Sequence, residues 1–207
     1  MQVPMLRALL LLASLAFSAC TASLERADPT SDAPEPRVAP AQALQDPASY
    51  ARALELWHTP EQINAWIRAS FEYDPDRALA LSETQRAQKP GPPIYPPEAF
   101  FSVPKGVCVD LSRFAVETLR AVAPDLKVTY VMLEFNPAVI QGNVLRRHWV
   151  ASFERDGARY FFADSKRPGH IAGPYASTQE YVVEYAAYRG RTIVAFRQLE
   201  SFARRAK

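Results

Sequence analysis

The amino-acid sequence predicts an α+β domain in which helices come first and antiparallel strands follow. Three observations predict it. Helical-period apolar patterns with capping signals run from about residue 46 to Val122, β-rich runs dominate from Lys127 to Asp164, and Asp156-Gly157 joins two of those runs with a hairpin signal.

The elements follow in chain order. Asp46-Pro47 opens a short helix with Tyr50, Leu54 and Trp57 on one face. Thr59-Pro60-Glu61-Gln62 is a capping box with Pro at the first helical position, followed by Ile63, Trp66, Ile67 and Phe71 at helical spacing. Residues 75–88 carry a weaker amphipathic helix. Lys89-Pro90-Gly91-Pro92-Pro93-Ile94-Tyr95-Pro96-Pro97 is a run that no regular element tolerates. After Gly106 the helical period returns, with Leu111, Phe114, Ala115, Leu119 and Val122 on one stripe until Pro124. Lys127 to Phe135 is rich in β-formers, and Arg147 to Phe153 and Ala158 to Asp164 flank the Asp-Gly turn. Ser177-Thr178-Gln179-Glu180 is a second capping box, opening a helix to about Tyr188, and Arg191 to Phe196 reads as a last strand.

Composition bounds the function. The chain has 207 residues, 24 Lys plus Arg against 22 Asp plus Glu, and 48% hydrophobic residues. That is enough for one core and too balanced in charge for a phosphate-binding field, so nucleic acid is not an expected partner. The 18 prolines against 7 glycines predict rigid, punctuated loops. Two cysteines supply neither a disulfide framework nor a structural zinc site, and neither a cofactor nor a metal is expected.

The N-terminus has the form of a secretory signal. Arg7 precedes an apolar run from Ala8 to Phe17, which is too short for a bilayer span of about 20 residues. Phe17-Ser18-Ala19-Cys20 resembles a bacterial lipobox, with Phe17 in place of the usual Leu. On that reading residues 1–19 are removed and Cys20 is lipidated. Cleavage nearby with Cys20 left unmodified is the alternative. Residues 20–45 carry Pro29, Pro34, Pro36 and Pro40 among small polar residues and read as a tether, leaving 46–207 as the folded domain. The lipid anchors the protein to a membrane. Thr21 after the cysteine resembles outer-membrane sorting, so the expected location is the bacterial cell envelope, facing the periplasm.

Cys108 opens the best helix in the chain, where the positive end of the helix dipole favours a thiolate. Cysteines so placed titrate at about 3.5–7.5. A small buried hydrophobe is the plainer reading, but Cys108 follows a Gly at a helix start rather than sitting in the apolar stripe. As a nucleophile it needs a base. His58 precedes a capped helix and His170 sits in a loop, whereas His148 begins a strand that would hold its ring. Hairpin counting nominates the third group. If Glu154 pairs with Ala158 across a bulged turn, His148 lies opposite Asp164. A two-residue Asp156-Gly157 turn shifts the register by one and puts Asp164 on the other face. The bulged turn is the expected one, because Asp before a left-handed Gly suits it.

Gly106-Val107-Cys108-Val109-Asp110, then His148-Trp149, then Tyr160-Phe161-Phe162-Ala163-Asp164 resemble the core of the transglutaminase-like superfamily, including its bacterial cysteine-peptidase branch. The match covers about residues 60–167. The papain group also runs through Cys and His, but usually ends in Asn at longer separations. The resemblance implies a papain-like core, a Cys108-His148-Asp164 triad, and Tyr73, in Phe71-Glu72-Tyr73-Asp74, as an oxyanion contact. It also implies acyl transfer or amide hydrolysis on a protein or peptide. Cell-wall peptide is the substrate that the expected location places within reach. No acidic cluster with calcium spacing occurs, so the metal dependence of some relatives is not implied. A catalytically inactive envelope lipoprotein acting as a binding or assembly module is the rival. An arylamine acetyltransferase-like use of the triad lacks an evident carrier site.

Overall fold

A computed structural model describes residues 47–203 apart from Pro168, so the signal segment, Cys20 and the tether lie outside the described residues. Among the described residues the order is α1 (Tyr50–Leu56), α2 (Pro60–Ser70), β1 (Glu72–Tyr73), α3 (Pro75–Ala80), α4 (Glu83–Gln88), α5 (Pro97–Ser102), β2 (Lys105–Gly106) and α6 (Cys108–Val122), then β3 (Val128–Ile140), β4 (Asn143–Arg155), β5 (Ala158–Phe162), β6 (Ala172–Tyr175), α7 (Thr178–Arg189) and β7 (Ile193–Leu199). The fold is α+β. Its main sheet is antiparallel, in the order β6-β5-β4-β3-β7.

Local chemistry explains most boundaries. The Thr59 hydroxyl accepts the Gln62 N–H, and the Gln62 side chain accepts the Thr59 N–H, closing the capping box of α2. Residues 75–88 form two helices rather than one. Ser82 turns the chain between them, capping α4 through Gln85 N–H and donating to Asn143 on β4. The proline run is irregular only as far as Pro96, because Pro97 is the first residue of α5, where a missing N–H costs nothing. The strand over 127–135 continues to Ile140 past a register shift at Glu134/Ala138. Pro137 cannot donate to a ladder and falls inside that shift. A two-residue turn at Gln141 and Gly142, both with positive φ, then joins β3 to β4.

Strand alternation divides the core in two. On one face Tyr130, Ala151 and Phe153 meet Leu111, Phe114, Ala115 and Leu119 of α6, with Trp57, Trp66 and Phe100 behind them. On the other, Val131, Leu133, Val150 and Phe161 meet Tyr181, Val182 and Tyr185 of α7. Each such aliphatic or aromatic side chain contributes about 1.5–3 kcal/mol by burial. The sheet is therefore covered on both faces, and a residue's parity decides which helix it meets.

Candidate functional site

Cys108 is the first residue of α6, and the helix start is built around a buried carboxylate. Val107 at the N-cap offers no side-chain acceptor, so the cap is made in reverse: Asp110 Oδ2 accepts the Val107 N–H at 3.1 Å. The same carboxylate takes both a 2.7 Å bond from Arg77 Nε and another of 2.7 Å from Arg77 Nη2, and it accepts the Tyr95 N–H at 3.0 Å. Four donors satisfy a carboxylate with no exposure, which is the condition under which a buried charge is tolerated. Burial pushes the Arg77 guanidinium down, and the bonds and charge of Asp110 outweigh it, so its pKa ends above the ordinary value. Arg77 also stacks on the Tyr95 ring at 3.7 Å and donates to the Pro93 carbonyl at 2.6 Å. Arg113 holds the Ile94 carbonyl at 2.8 Å. The proline-rich rim is thus clamped to the helix that carries the thiol. Gly106 suits this packing, because a Cβ there would lie 3.0 Å from Asp110 Oδ2 and 3.2 Å from the Phe100 ring, close enough that these neighbours would have to yield.

β1 and β2 place Tyr73 next to this start, pairing it with Gly106 while the Asp74 N–H donates to the Gly106 carbonyl at 2.8 Å. Tyr73 and Cys108 share the wall of a cavity of about 760 Å³, with Trp149, Met132, Gly91, Pro92 and Ile94 around them. Cys108 is partly exposed there. The cavity is also lined by charged side chains, with Arg86, Arg146, Arg147 and Arg197 alongside Glu83, Glu134 and Glu200.

His148 sits in the middle of β4 rather than at its start and points to the α7 face, paired with Leu133. It is 2% exposed and stacks on Tyr185, with centroids 5.3 Å apart. Its Nε2 lies 3.1 Å from the Asp164 carbonyl oxygen and 2.9 Å from the Tyr185 hydroxyl. A carbonyl only accepts, so that contact puts the proton on Nε2 and leaves the lone pair on Nδ1. Burial, then the charge of Arg189 and more weakly that of Arg191, pushes the imidazole down to about 3, against the opposing pull of the Asp164 carbonyl. The resting ring is therefore neutral near pH 7.

Asp164 reaches His148 by a route other than the expected register. Arg155 pairs with Ala158 and Ala151 with Phe162, so the turn is the tight one, with Asp156 and Gly157 both left-handed, and the Glu154-to-Ala158 pairing does not form. β5 stops at Phe162, two residues before the expected end. Ala163 and Asp164 then both take positive φ, 56° and 74°, and this reversal brings residue 164 back to the histidine. The main-chain carbonyl makes the closer contact, and the carboxylate Oδ2 is 4.0 Å from Nε2.

The structure thus brings Cys108 together with Tyr73, and His148 together with Asp164. His148 is not among the residues lining the cavity. Tyr185 belongs to the His148 pair: its hydroxyl lies 2.9 Å from the imidazole, and burial raises its phenol well above the ordinary value while Arg189 opposes this. The β4–β5 ladder ends at Ala151, so among the described residues no strand of the sheet flanks β4 on that side at His148. His58 is exposed, and His170 contacts the Ser165 hydroxyl at 3.3 Å.

Sequence reasoning missed Asp110, Arg77 and Tyr185. Asp110 at the third position of a helix with a Val cap was a readable sign, whereas Arg77 lies 33 residues away and Tyr185 37 residues from its partner. Among the described residues no cluster of His, Cys, Asp and Glu is placed to hold a metal, and no helix is long and apolar enough to cross a membrane. Neither the protein-family models nor the curated proteins compared with this chain include a match to it.

Proposed function

We propose that the protein is a cysteine-dependent acyl-transfer enzyme or amide hydrolase of the transglutaminase-like type, with Cys108 as nucleophile, His148 as base and Asp164 as the residue that orients it. One observation carries the reading: Cys108 stands at a helix start, partly exposed on the wall of a cavity of about 760 Å³. The neutral imidazole takes the thiol proton at Nδ1 as the sulfur attacks an amide carbonyl, and the amine leaves with that proton. Water or a second amine then releases the acyl group. Tyr73 and the N–H groups at the start of α6 are the donors available to the oxyanion, each worth about 2.7–4 kcal/mol in such sites. The expected setting is the bacterial envelope, with Cys20 lipidated at the outer membrane and the domain facing periplasmic peptides.

The rival reading, a binding or assembly module of the same lineage, is favoured by the sealing of His148 at 2% exposure and by its low pKa. A thiol-directed acyl probe separates the two. The enzyme predicts covalent labelling that is lost in Cys108→Ala and slowed at least about tenfold in His148→Gln. Equal labelling of parent and Cys108→Ala overturns the enzymatic reading, and unchanged labelling in His148→Gln removes the histidine from it.

A further inference from the structure

The cavity beside Cys108 carries a charge pattern that the proposed chemistry does not use. Alternation puts Trp149 of β4, Met132 of β3 and Arg197 of β7 in one row across three strands, since Met132 pairs with both of the others. All three line the cavity with Cys108, so its floor passes from an aromatic and a thioether to a guanidinium. Arg86 enters from α4, with its stem lying where a Cβ on Gly91 would come within 3.2 Å of it.

The lining charges do not cancel. Glu83 takes Arg146 at 3.0 Å and Arg147 at 3.7 Å, Glu134 lies 3.9 Å from Arg147, and Glu200 is held at 2.8 Å by Arg120, which is not part of the lining. Among the described residues Arg86 and Arg197 have no carboxylate within ion-pair distance, and both are exposed. Two unmatched guanidiniums over an apolar floor suit a ligand with an apolar group and a carboxylate. Arg recognises a carboxylate in a planar, bidentate way that no neutral amide reproduces.

We propose that this cavity selects peptide segments bearing an acidic side chain, with Arg86 and Arg197 binding the carboxylate and Trp149 and Met132 the adjoining apolar part. The proposal rests on the reading of Cys108 as the reactive residue only for its biological use, since the binding itself needs no chemistry. Salt weakens the selectivity, because both guanidiniums are exposed.

The test uses the full chain in detergent, carrying Cys108→Ala so that no turnover occurs, and titrates acetyl-Trp-(Glu)4-amide and acetyl-Trp-(Gln)4-amide calorimetrically at low salt. The acidic peptide is expected to bind about tenfold or more tightly than its neutral counterpart. Arg86→Gln with Arg197→Gln should erase that preference, and Arg155→Gln, a remote arginine paired with Glu61, should keep it. Equal binding of the two peptides, no binding of either, or a preference that survives the double substitution overturns the proposal. Failure of the enzymatic reading shows separately, as an unlabelled parent protein that still prefers the acidic peptide.

Discussion

The start of α6 and the His148 pocket under α7 are both buried, and they treat charge in opposite ways. At α6 the Arg77 guanidinium is held, against burial, above its ordinary pKa by Asp110, whose carboxylate collects four hydrogen bonds, and it lies 3.7 Å over the Tyr95 ring. Under α7 the imidazole has a carbonyl and a phenol for company, two arginines nearby and no solvent, so it sheds its proton. Burial alone does not decide ionisation; the number and sign of the groups facing the site do. Under the proposed acyl-transfer function the contrast is a division of labour, in which one region presents the Cys108 thiol at an open cavity and the other keeps a neutral imidazole dry.

The largest effect is expected where charge is retained. Asp110→Ala leaves the Arg77 guanidinium buried without its partner and removes the reverse cap of α6 at once. Loss of one partner of such a pair costs about 3–5 kcal/mol. Urea unfolding should show that loss, and a change below about 1 kcal/mol would mean that water replaces the carboxylate and that the hub is not what holds the helix start.

Where charge is shed, pH is the lever. The folded His148 titrates at about 3 against an ordinary value of 6.5, so between those two values the unfolded chain binds a proton that the folded one does not. Stability should therefore fall as pH drops from 6.5 towards 3, by on the order of a few kcal/mol, and should owe nothing to this group above that window. His170, also pushed down by burial and by Lys166 and Arg167, acts in the same direction, and carboxylates titrate in the same range. The measurement is accordingly the difference between parent and His148→Gln in stability against pH. A difference that stays flat from pH 3 to 6.5 would show the imidazole to be as easily protonated folded as unfolded.

The capping box at Thr59, the break at Ser82 and the helix after Gly106 rest on neighbours within four residues, and the first and last of these were legible in the sequence. The α+β class followed from these helices together with the β-rich runs after Lys127. The hairpin at Asp156-Gly157 was legible too, but its register was not, because Asp-Gly suits a tight turn as well as a bulged one, and the choice depends on how Phe161 and Phe162 divide between the two cores. The pairing of Asp164 with His148 was legible for a reason other than the true one. Counting expected strand register to deliver the aspartate, whereas two left-handed residues deliver it. Tyr185 was beyond reach, since nothing near it marks one tyrosine of α7 as the partner of a ring on β4.

Tyr185→Phe tests the link between the two regions with a smaller loss. It keeps the stacked ring and removes one hydroxyl, so stability should drop by about 0.5–1.5 kcal/mol. If the phenol helps set the lone pair on Nδ1, the acyl-probe reaction at Cys108 should slow with little change in peptide binding. Slowed labelling accompanied by equally weakened binding would instead mean that the cavity itself had shifted.

The smallest effect should come from the reversal that delivers Asp164. Ala163 is fully buried, and at such a site Ala→Gly ordinarily destabilises by roughly 0.5–1 kcal/mol through lost backbone entropy. Here φ is 56°, a left-handed conformation costing an L-residue about 1–2 kcal/mol that glycine escapes. The relief and the entropy oppose each other, and the lost methyl adds about 0.8 kcal/mol to the cost. Ala163→Gly should therefore lie within about 1 kcal/mol of the parent. A loss of 2 kcal/mol or more would show that the reversal carries no strain, and that packing of the Ala163 methyl, rather than tolerance of a left-handed turn, holds Asp164 against His148.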